Sequence, residues 1–209
     1  MSSPAWTVVV PVKRPSVAKT RLTGTETAKR RELALAFATD TVAAIAACET
    51  VWSIVVVTDD EEASAMARSL GAIAVADAPD AGLNPALRHG ADVARTMRSD
   101  CAIAAVSSDL PALRPSELST GLQACARHPF AFVCDTVGTG TTLLAATPPH
   151  GLTPRFGPRS RAFHRYDGYV EITASGLASL RRDVDTWADL SDARRLGVGA
   201  ATAAVLALD

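Results

Sequence analysis

Two carboxylates that follow predicted strands are the first candidates for chemistry, Asp109 and Asp185. Asp109 belongs to the stretch VSSDLP at 106–111, directly after an apolar run at 101–106. In an open α/β sheet, ligands bind beyond the carboxyl ends of the strands, where a carboxylate can hold a hard cation. Two such acids together with phosphate oxygens would form a magnesium site. The alternatives are that Asp109 caps the next turn or a helix starting near Pro115, and that Asp185 caps a helix from Thr186 onward. Asp183 competes with Asp185 for the role of metal ligand.

A basic loop follows the first predicted strand. Residues 6–12 form a β-branched run without alternation, which is typical of a central parallel strand buried on both faces. Lys13, Lys19 and Arg21 come next, where an α/β fold places a phosphate loop. We expect Lys19 and Arg21 to contact a triphosphate, and a solvated basic loop is the alternative. The glycine-rich P-loop and the G-x-G-x-x-G pattern are absent, which argues against P-loop NTPases and dinucleotide-binding proteins.

A turn-rich loop at 77–85 leads into a predicted helix at 86–97. Such a loop can offer backbone N–H groups to a base or ribose. Asn84 could bind a purine edge through its amide, or it could be the helix N-cap before Pro85. The predicted nucleotide-binding residues are Lys13, Lys19, Arg21, Asn84 and Ser108.

Two segments of the second half suit a small anionic acceptor, TGTT at 139–142 and RFGPRS at 155–160. Glycine lets the backbone approach a ligand, threonine and serine supply hydroxyls, and a helix beginning near Ser160 would direct N–H groups at a phosphate or carboxylate. A hairpin turn and a structural loop are the alternatives. His164 is expected to be a buried side chain with satisfied hydrogen bonds and not a ligand.

The order of these elements predicts an α/β fold with a mostly parallel central sheet flanked by helices. Strands and helices alternate as far as residue 127, which is typical of a doubly wound sheet. The second half breaks this alternation with a predicted hairpin at 130–146. We expect one domain, 1–209, made of a nucleotide-binding half (about 1–127), an acceptor-binding half (about 128–196) and a C-terminal helix (197–209).

Composition excludes several classes of protein. A net charge of −1 over 209 residues argues against binding to nucleic acid through bulk charge. No apolar window approaches the ~18 residues of a membrane span, and the N-terminus is expected to be a strand and not a signal peptide. We therefore expect a cytoplasmic protein without membrane partners. The four cysteines show no C-x-x-C spacing and are expected to be buried, reduced thiols.

No Ser-His-Asp set, G-x-S-x-G or H-E-x-x-H motif is present, so hydrolase chemistry of those kinds is not indicated. Nucleotidyl transfer needs none of them. A phosphate monoester has a second pKa of about 6 and is therefore mostly ionised at neutral pH. An acceptor of this kind requires no general base. Alignment of the two phosphates and neutralisation of their charge would then supply most of the catalysis.

Seven segments, taken in chain order, resemble the phosphoenolpyruvate and 2-phospholactate guanylyltransferases of coenzyme F420 biosynthesis. The Gly-Thr-Thr and Phe-Gly-x-x-Ser segments are the most specific, and the resemblance covers nearly the whole chain. The segments are VPVK (10–13), AKTRL (18–22), GLN (82–84), SDLP (108–111), GTTL (140–143), FGPRSRAFH (156–164) and DVDT (183–186).

The resemblance implies a nucleotidyltransferase-like (Rossmann-like) fold, related to the molybdenum-cofactor guanylyltransferases. It implies transfer of GMP from GTP to a phosphorylated three-carbon acid, with release of pyrophosphate. Carried over to this chain, Thr142, Gly157 and Ser160 would bind the acid. Mg²⁺ would be held by Asp109 and Asp185, and the catalytic residues would be Asp109, Lys19 and Arg21.

The Arg- and Ala-rich composition suggests a bacterial member, and such members resemble phosphoenolpyruvate users. The expected product is therefore enolpyruvoyl-2-diphospho-5'-guanosine, with 2-phospho-L-lactate as the alternative acceptor. Two further alternatives are a nucleotidyltransferase of the same fold acting on a sugar or pterin phosphate, and a non-catalytic nucleotide-binding regulator. The Ala-rich tail at 197–208 is either core or the face of a homodimer.

Overall fold

The structure is a computed structural model that describes residues 4–13, 27–78 and 80–207. Within these ranges, seven strands form one sheet in the order β3-β2-β1-β4-β6-β5-β7. Only β6 runs antiparallel to its neighbours in this sheet. The strands are β1 (Trp6–Pro11), β2 (Val51–Val57), β3 (Ile73–Val75), β4 (Ala102–Val106), β5 (Phe130–Cys134), β6 (Thr141–Ala146) and β7 (Val170–Glu171).

Helices cover both faces of the sheet, because the central strands are apolar on both sides. Val8 and Val10 of β1 pack into one cluster of buried side chains, and Val9 packs into the cluster on the opposite face. This explains why β1 shows no alternation of polar and apolar residues. The helices are α1 (Thr27–Ala46), α2 (Glu61–Ser69), α3 (Leu83–Met97), α4 (Pro115–Cys125), α5 (Ser160–Tyr166), α6 (Ala178–Arg181), α7 (Trp187–Leu196) and α8 (Ala200–Leu206).

The predicted mostly parallel sheet and the predicted β5–β6 hairpin are confirmed. Two helix boundaries differ from the prediction, since α3 begins at Leu83 and not at residue 86, and the C-terminal helix begins at Ala200 and not at residue 197. Pro85 is compatible with the first turn of α3, where its missing N–H group has no partner to lose. The four cysteines are buried and free, as predicted. None of the helices in the described ranges combines the length and the hydropathy needed to cross a bilayer.

The C-terminal helix α8 packs on α1 through a carboxylate. Asp40 of α1 accepts hydrogen bonds from the backbone N–H groups of Ala201 and Thr202, at 2.9 Å each. A Cβ atom at Gly199 would lie 2.4 Å from this carboxylate, so the residue before the helix must be glycine. Asp40, from a distant part of the chain, therefore provides hydrogen-bond acceptors for backbone N–H groups in the first turn of α8.

Candidate functional site

Polar side chains gather at the carboxyl edge of the sheet. Strands β1 to β5 all end at this edge, and the reversed strand β6 begins there. The Ser107 N–H group donates to the Thr142 carbonyl at 2.9 Å, which joins the end of β4 to the start of β6. The residues at this edge include Lys13, Asp59, Asp77, Asp109, Asp135, Thr141 and Thr142.

Asp109 is held through the backbone on both of its sides. The Thr41 hydroxyl of α1 accepts from the Leu110 N–H at 3.0 Å. Its own proton is directed at the Phe37 carbonyl at 2.7 Å, with the Ser108 carbonyl at 3.3 Å as a second acceptor. The Asp109 carbonyl itself accepts from the Val184 N–H at 3.0 Å. Thr41 is buried on α1, so its contact with Leu110 lies within the core. The loop that carries Asp109 is thus fixed between α1 and residues 183–185.

Neither predicted metal ligand caps a helix that follows it. The N-cap of α4 is Arg114, so Asp109 does not take that position. The N-cap of α7 is Thr186, which forms a capping box with Asp189, so Asp185 does not take that position either. Asp109 as the cap of the helix that starts near Pro115 and Asp185 as the cap of the helix from Thr186 onward are therefore wrong.

Asp183 joins Asp109 and Asp185 in one electrostatic cluster. Val184 is fully buried in a hydrophobic cluster with α1 and α7, and its two neighbours remain partly exposed. The pKa of Asp183 is raised to about 7, mainly by burial and further by the negative charges of Asp109, Asp135 and Asp185. Carboxylates that repel one another in this way are a donor set suited to a hard divalent cation.

The turn between β5 and β6 is built around Asp135. Its carboxylate accepts from the N–H groups of Gly138, Thr139 and Gly140 at 2.6, 2.8 and 2.8 Å. A Cβ atom at position 140 would lie 2.5 Å from this carboxylate, which is why glycine precedes the two threonines. Sequence analysis identified the turn but missed Asp135. An aspartate followed by Gly-x-Gly, whose side chain bonds to the backbone ahead, was the available signal.

Of the three residues predicted to bind the acceptor, Thr142 lies at the start of β6, directly after this turn, Ser160 begins α5, and Gly157 lies just before that helix. Thr142 is fully buried, and its hydroxyl has no hydrogen-bond partner within the described part of the chain. Gly157 has a φ of +127°, which favours glycine, and its carbonyl accepts from the Ser160 N–H at 3.1 Å. The Arg161 N–H donates to the Thr139 carbonyl at 3.2 Å, so α5 is attached to the β5–β6 turn.

His164 is a buried structural side chain, as predicted. Its Nε2 atom accepts from the Arg155 N–H at 3.0 Å, and Nδ1 lies 2.9 Å from the Thr141 hydroxyl. Burial is the main cause that lowers its pKa to about 4, the nearby Arg155 charge lowers it further, and Asp167 opposes the shift. The neutral ring must therefore carry its proton on Nδ1 and donate it to Thr141.

Asn84 does not occupy the position that sequence analysis predicted. It lies in the first turn of α3, whose N-cap is Gly82, so the N-cap interpretation is wrong. Its Oδ1 atom accepts from the Phe156 N–H at 2.7 Å, and its Nδ2 group donates to the Phe156 carbonyl at 3.1 Å. The amide edge predicted for a purine is thus occupied by the backbone of the loop that contains Gly157.

A cavity of about 270 Å³ opens at the ends of β1, β2 and β3, beside the start of α3. The cavity is lined by Pro11, Val12, Lys13, Val57, Thr58, Asp59, Asp77, Asp80, Gly82, Leu83 and Ala86. One carboxylate oxygen of Asp77 is buried and has no hydrogen-bond partner among the described residues. Carboxylate oxygens of Asp59, Asp77 and Asp80 lie within 4.8 Å of one another. Lys19 and Arg21 lie outside the described residues.

Comparison with solved structures places the fold among nucleotidyltransferases. A nucleotidyl transferase from Methanothermobacter thermautotroptrophicus aligns with a TM-score of 0.54 at 19% identity, over 91% of this chain and 97% of its own. A 4-diphosphocytidyl-2C-methyl-D-erythritol synthase aligns with a TM-score of 0.57 at 13% identity, over 92% of this chain and 99% of its own. The predicted nucleotidyltransferase-like fold is confirmed.

Sequence comparison is more specific. The phosphoenolpyruvate guanylyltransferase of Streptomyces scabiei is 53% identical over 207 residues, covering 97% of this chain and 96% of the relative. The protein of the same name from Thermomonospora curvata is 50% identical over 202 residues, covering 97% and 89%. The profile of the family described as "Guanylyl transferase CofC like" matches residues 6–192. The chain therefore belongs to the CofC-like guanylyltransferase family.

Proposed function

We propose that this chain transfers a guanylyl group from GTP to phosphoenolpyruvate, which yields enolpyruvoyl-2-diphospho-5'-guanosine and pyrophosphate. Family membership and the names of relatives about half identical in sequence support the reaction. The structural observation that carries the proposal is the bond between Ser107 and Thr142. This hydrogen bond places the end of β4, which Asp109 follows, beside the threonine hydroxyls at the start of β6. The α-phosphate of GTP and the acceptor phosphate have to come together, so the residues that bind them must be neighbours.

The reaction is a displacement at the α-phosphorus of GTP. An oxygen of the acceptor phosphate forms the new P–O bond, and the bond from the α-phosphorus to its bridging oxygen breaks as pyrophosphate leaves. No proton has to move, because the acceptor phosphate is already ionised at neutral pH. The task of the protein is to align two anions and to offset their repulsion. Thr142, Gly157 and Ser160 are the proposed acceptor contacts, and the unpartnered Thr142 hydroxyl supports this assignment.

Mg²⁺ is the proposed metal, held by Asp109 and Asp185, with Asp183 close enough to respond to their charges. The raised pKa of Asp183 supports this assignment, because a bound dication would offset the repulsion that raises it. When bound, the metal supplies charge neutralisation at the reacting phosphate. The assignment of Lys19 and Arg21 to the triphosphate remains a prediction from the sequence, as does the cytoplasmic location.

The cavity beside α3 is the proposed site of the guanine base. Guanine presents N–H donors on its Watson–Crick edge, where adenine presents an acceptor at N1. The buried, unpartnered Asp77 oxygen is a hydrogen-bond acceptor of the kind that guanine requires. Lys13 lines the same cavity, and Ser108 follows β4 at the same edge, so both remain proposed nucleotide contacts.

Replacing Asp77 should relax the choice of base. We expect Asp77→Asn to lower kcat/KM for GTP about 10- to 150-fold relative to ATP, since a hydrogen bond to a charged group contributes about 1.5–3 kcal/mol. The measurement is pyrophosphate release with each nucleotide at saturating acceptor. Asp92→Asn, on the exposed side of α3, is the control. An equal loss with both nucleotides would contradict the assignment of Asp77 to base recognition.

Pyrophosphate release also tests the function itself. The protein is incubated with GTP and Mg²⁺, with phosphoenolpyruvate and 2-phospho-L-lactate in parallel reactions and GTP alone as the control. We expect release with phosphoenolpyruvate and none without an acceptor. Faster release with 2-phospho-L-lactate would reassign the acceptor, because the two differ only in a C=C bond against a CH–CH₃ group. No release with either would overturn the proposed function.

A further inference from the structure

Asn84 links the helix beside the nucleotide cavity to the loop of the acceptor site. Both ends of its amide are bonded to one residue 72 positions away, Phe156. The backbone N–H of Phe156 is a donor and its carbonyl an acceptor, so the side-chain amide matches both groups in a single orientation. Gly82 and Leu83, directly before Asn84, line the cavity. The loop residue directly after Phe156 is Gly157.

The loop is held from a second side by α5. The backbone of Arg155 donates to His164 at 3.0 Å, and the Phe156 ring meets the His164 ring edge-on at 5.6 Å between centroids. His164 is fully buried and bonded to Thr141, so this side of the loop is fixed to β6. Asn84 supplies the matching attachment on the side of α3. Without it, the backbone of Phe156 would lose both of its hydrogen bonds to α3.

We propose that Asn84 is a positioning residue for the acceptor: it sets the backbone of Phe156 and Gly157 and thereby the acceptor contacts at Gly157 and Ser160. This inference rests on the proposed function, since it assumes that the acceptor binds at these two residues. This positioning role takes the place of the purine contact that the sequence suggested for Asn84. Asn84 acts on the acceptor through the loop and does not touch the reacting atoms.

Steady-state kinetics of Asn84→Ala and Asn84→Asp test the proposal. The alanine variant loses two hydrogen bonds of about 0.5–1.5 kcal/mol each, so we expect KM for phosphoenolpyruvate to rise about 5- to 150-fold. We expect KM for GTP to change less than about threefold. The aspartate variant keeps the bond from the Phe156 N–H but turns an oxygen toward its carbonyl, so it should also bind the acceptor weakly. Arg88→Ala, exposed one turn along α3, is the matched control and should leave both constants unchanged.

Hydrogen exchange of the loop provides a second measurement. In the free protein, exchange at residues 155–157 should be faster in Asn84→Ala than in wild type and unchanged in Arg88→Ala. Equal rises of both KM values, or wild-type exchange in the loop, would overturn the positioning role while leaving the proposed function in place. A wild-type protein without turnover on either acceptor would instead overturn the proposed function, and this inference with it.

Discussion

Asp109→Asn should reduce kcat for pyrophosphate release by at least about 10²- to 10³-fold, the effect of removing one major electrostatic contact to a transition state. The substitution removes the negative charge of a carboxylate that we propose as a metal ligand, and it changes the side-chain volume little. The backbone at this position is bonded to Thr41 and Val184 through neighbouring N–H and carbonyl groups, and asparagine leaves those bonds intact. We therefore expect the variant to fold like the wild type.

The experiment compares kcat across a magnesium titration, together with thermal unfolding of the metal-free proteins. Asp100→Asn serves as the control, because Asp100 is exposed and forms an ion pair with nearby Arg98. That control should retain wild-type turnover. Near-normal turnover of Asp109→Asn at saturating Mg²⁺ would show that Asp109 is not a metal ligand. A large fall in unfolding temperature would show that its role is structural.

Asp183 should make metal binding depend on pH. Its pKa is raised to about 7 by burial and by Asp109, Asp135 and Asp185, so its carboxyl is largely protonated at pH 6 and ionised at pH 8. A divalent cation at this cluster favours the ionised form, whether Asp183 binds the cation or only faces it. We therefore expect Mg²⁺ to bind about tenfold more tightly at pH 8 than at pH 6. Replacing Asp183 with asparagine should abolish this dependence.

The free energy of unfolding of the metal-free protein should fall as pH rises, whereas the affinity for Mg²⁺ should rise. Because the pKa of Asp183 is higher in the folded state than in the unfolded chain, the folded state binds more protons between about pH 4 and 7. The free energy of unfolding should therefore fall as pH rises through this window, by up to about 1.4 kcal/mol per pH unit, and level off above pH 7.

Urea unfolding in chelator at pH 5, 6, 7 and 8 measures this contribution, and isothermal titration with MgCl₂ at pH 6 and 8 measures the coupling to the metal. Asp183→Asn should be more stable than wild type at pH 8 without metal, since it removes a buried charge that its neighbours repel. Asp100→Asn should follow the wild-type curve. A magnesium affinity that is the same at both pH values in the wild type would disprove the coupling.

The sequence by itself determined the order and type of most of the elements, although not the short helix α6. The apolar runs of β1 and β4, the alternation of strands and helices and the hairpin at 130–146 follow from local patterns, and each is present in the structure. Such patterns are readable because a strand buried on two faces needs apolar residues throughout, and a helix on the sheet needs one apolar stripe. The position of Asp109 after a buried strand also placed it at the carboxyl edge of the sheet.

Only the tertiary structure decided how the site is supported. Asn84 and Phe156 lie 72 residues apart, and Thr41 reaches Leu110 across 69. Neither hydrogen bond produces a periodic pattern in the sequence. Whether a side chain reaches a distant backbone group depends on how the helices and loops pack. The raised pKa of Asp183 likewise requires burial and three neighbouring charges, which spacing along the chain does not reveal. The residue types therefore indicated the chemistry, and the packing of the helices and loops determined the geometry of the site.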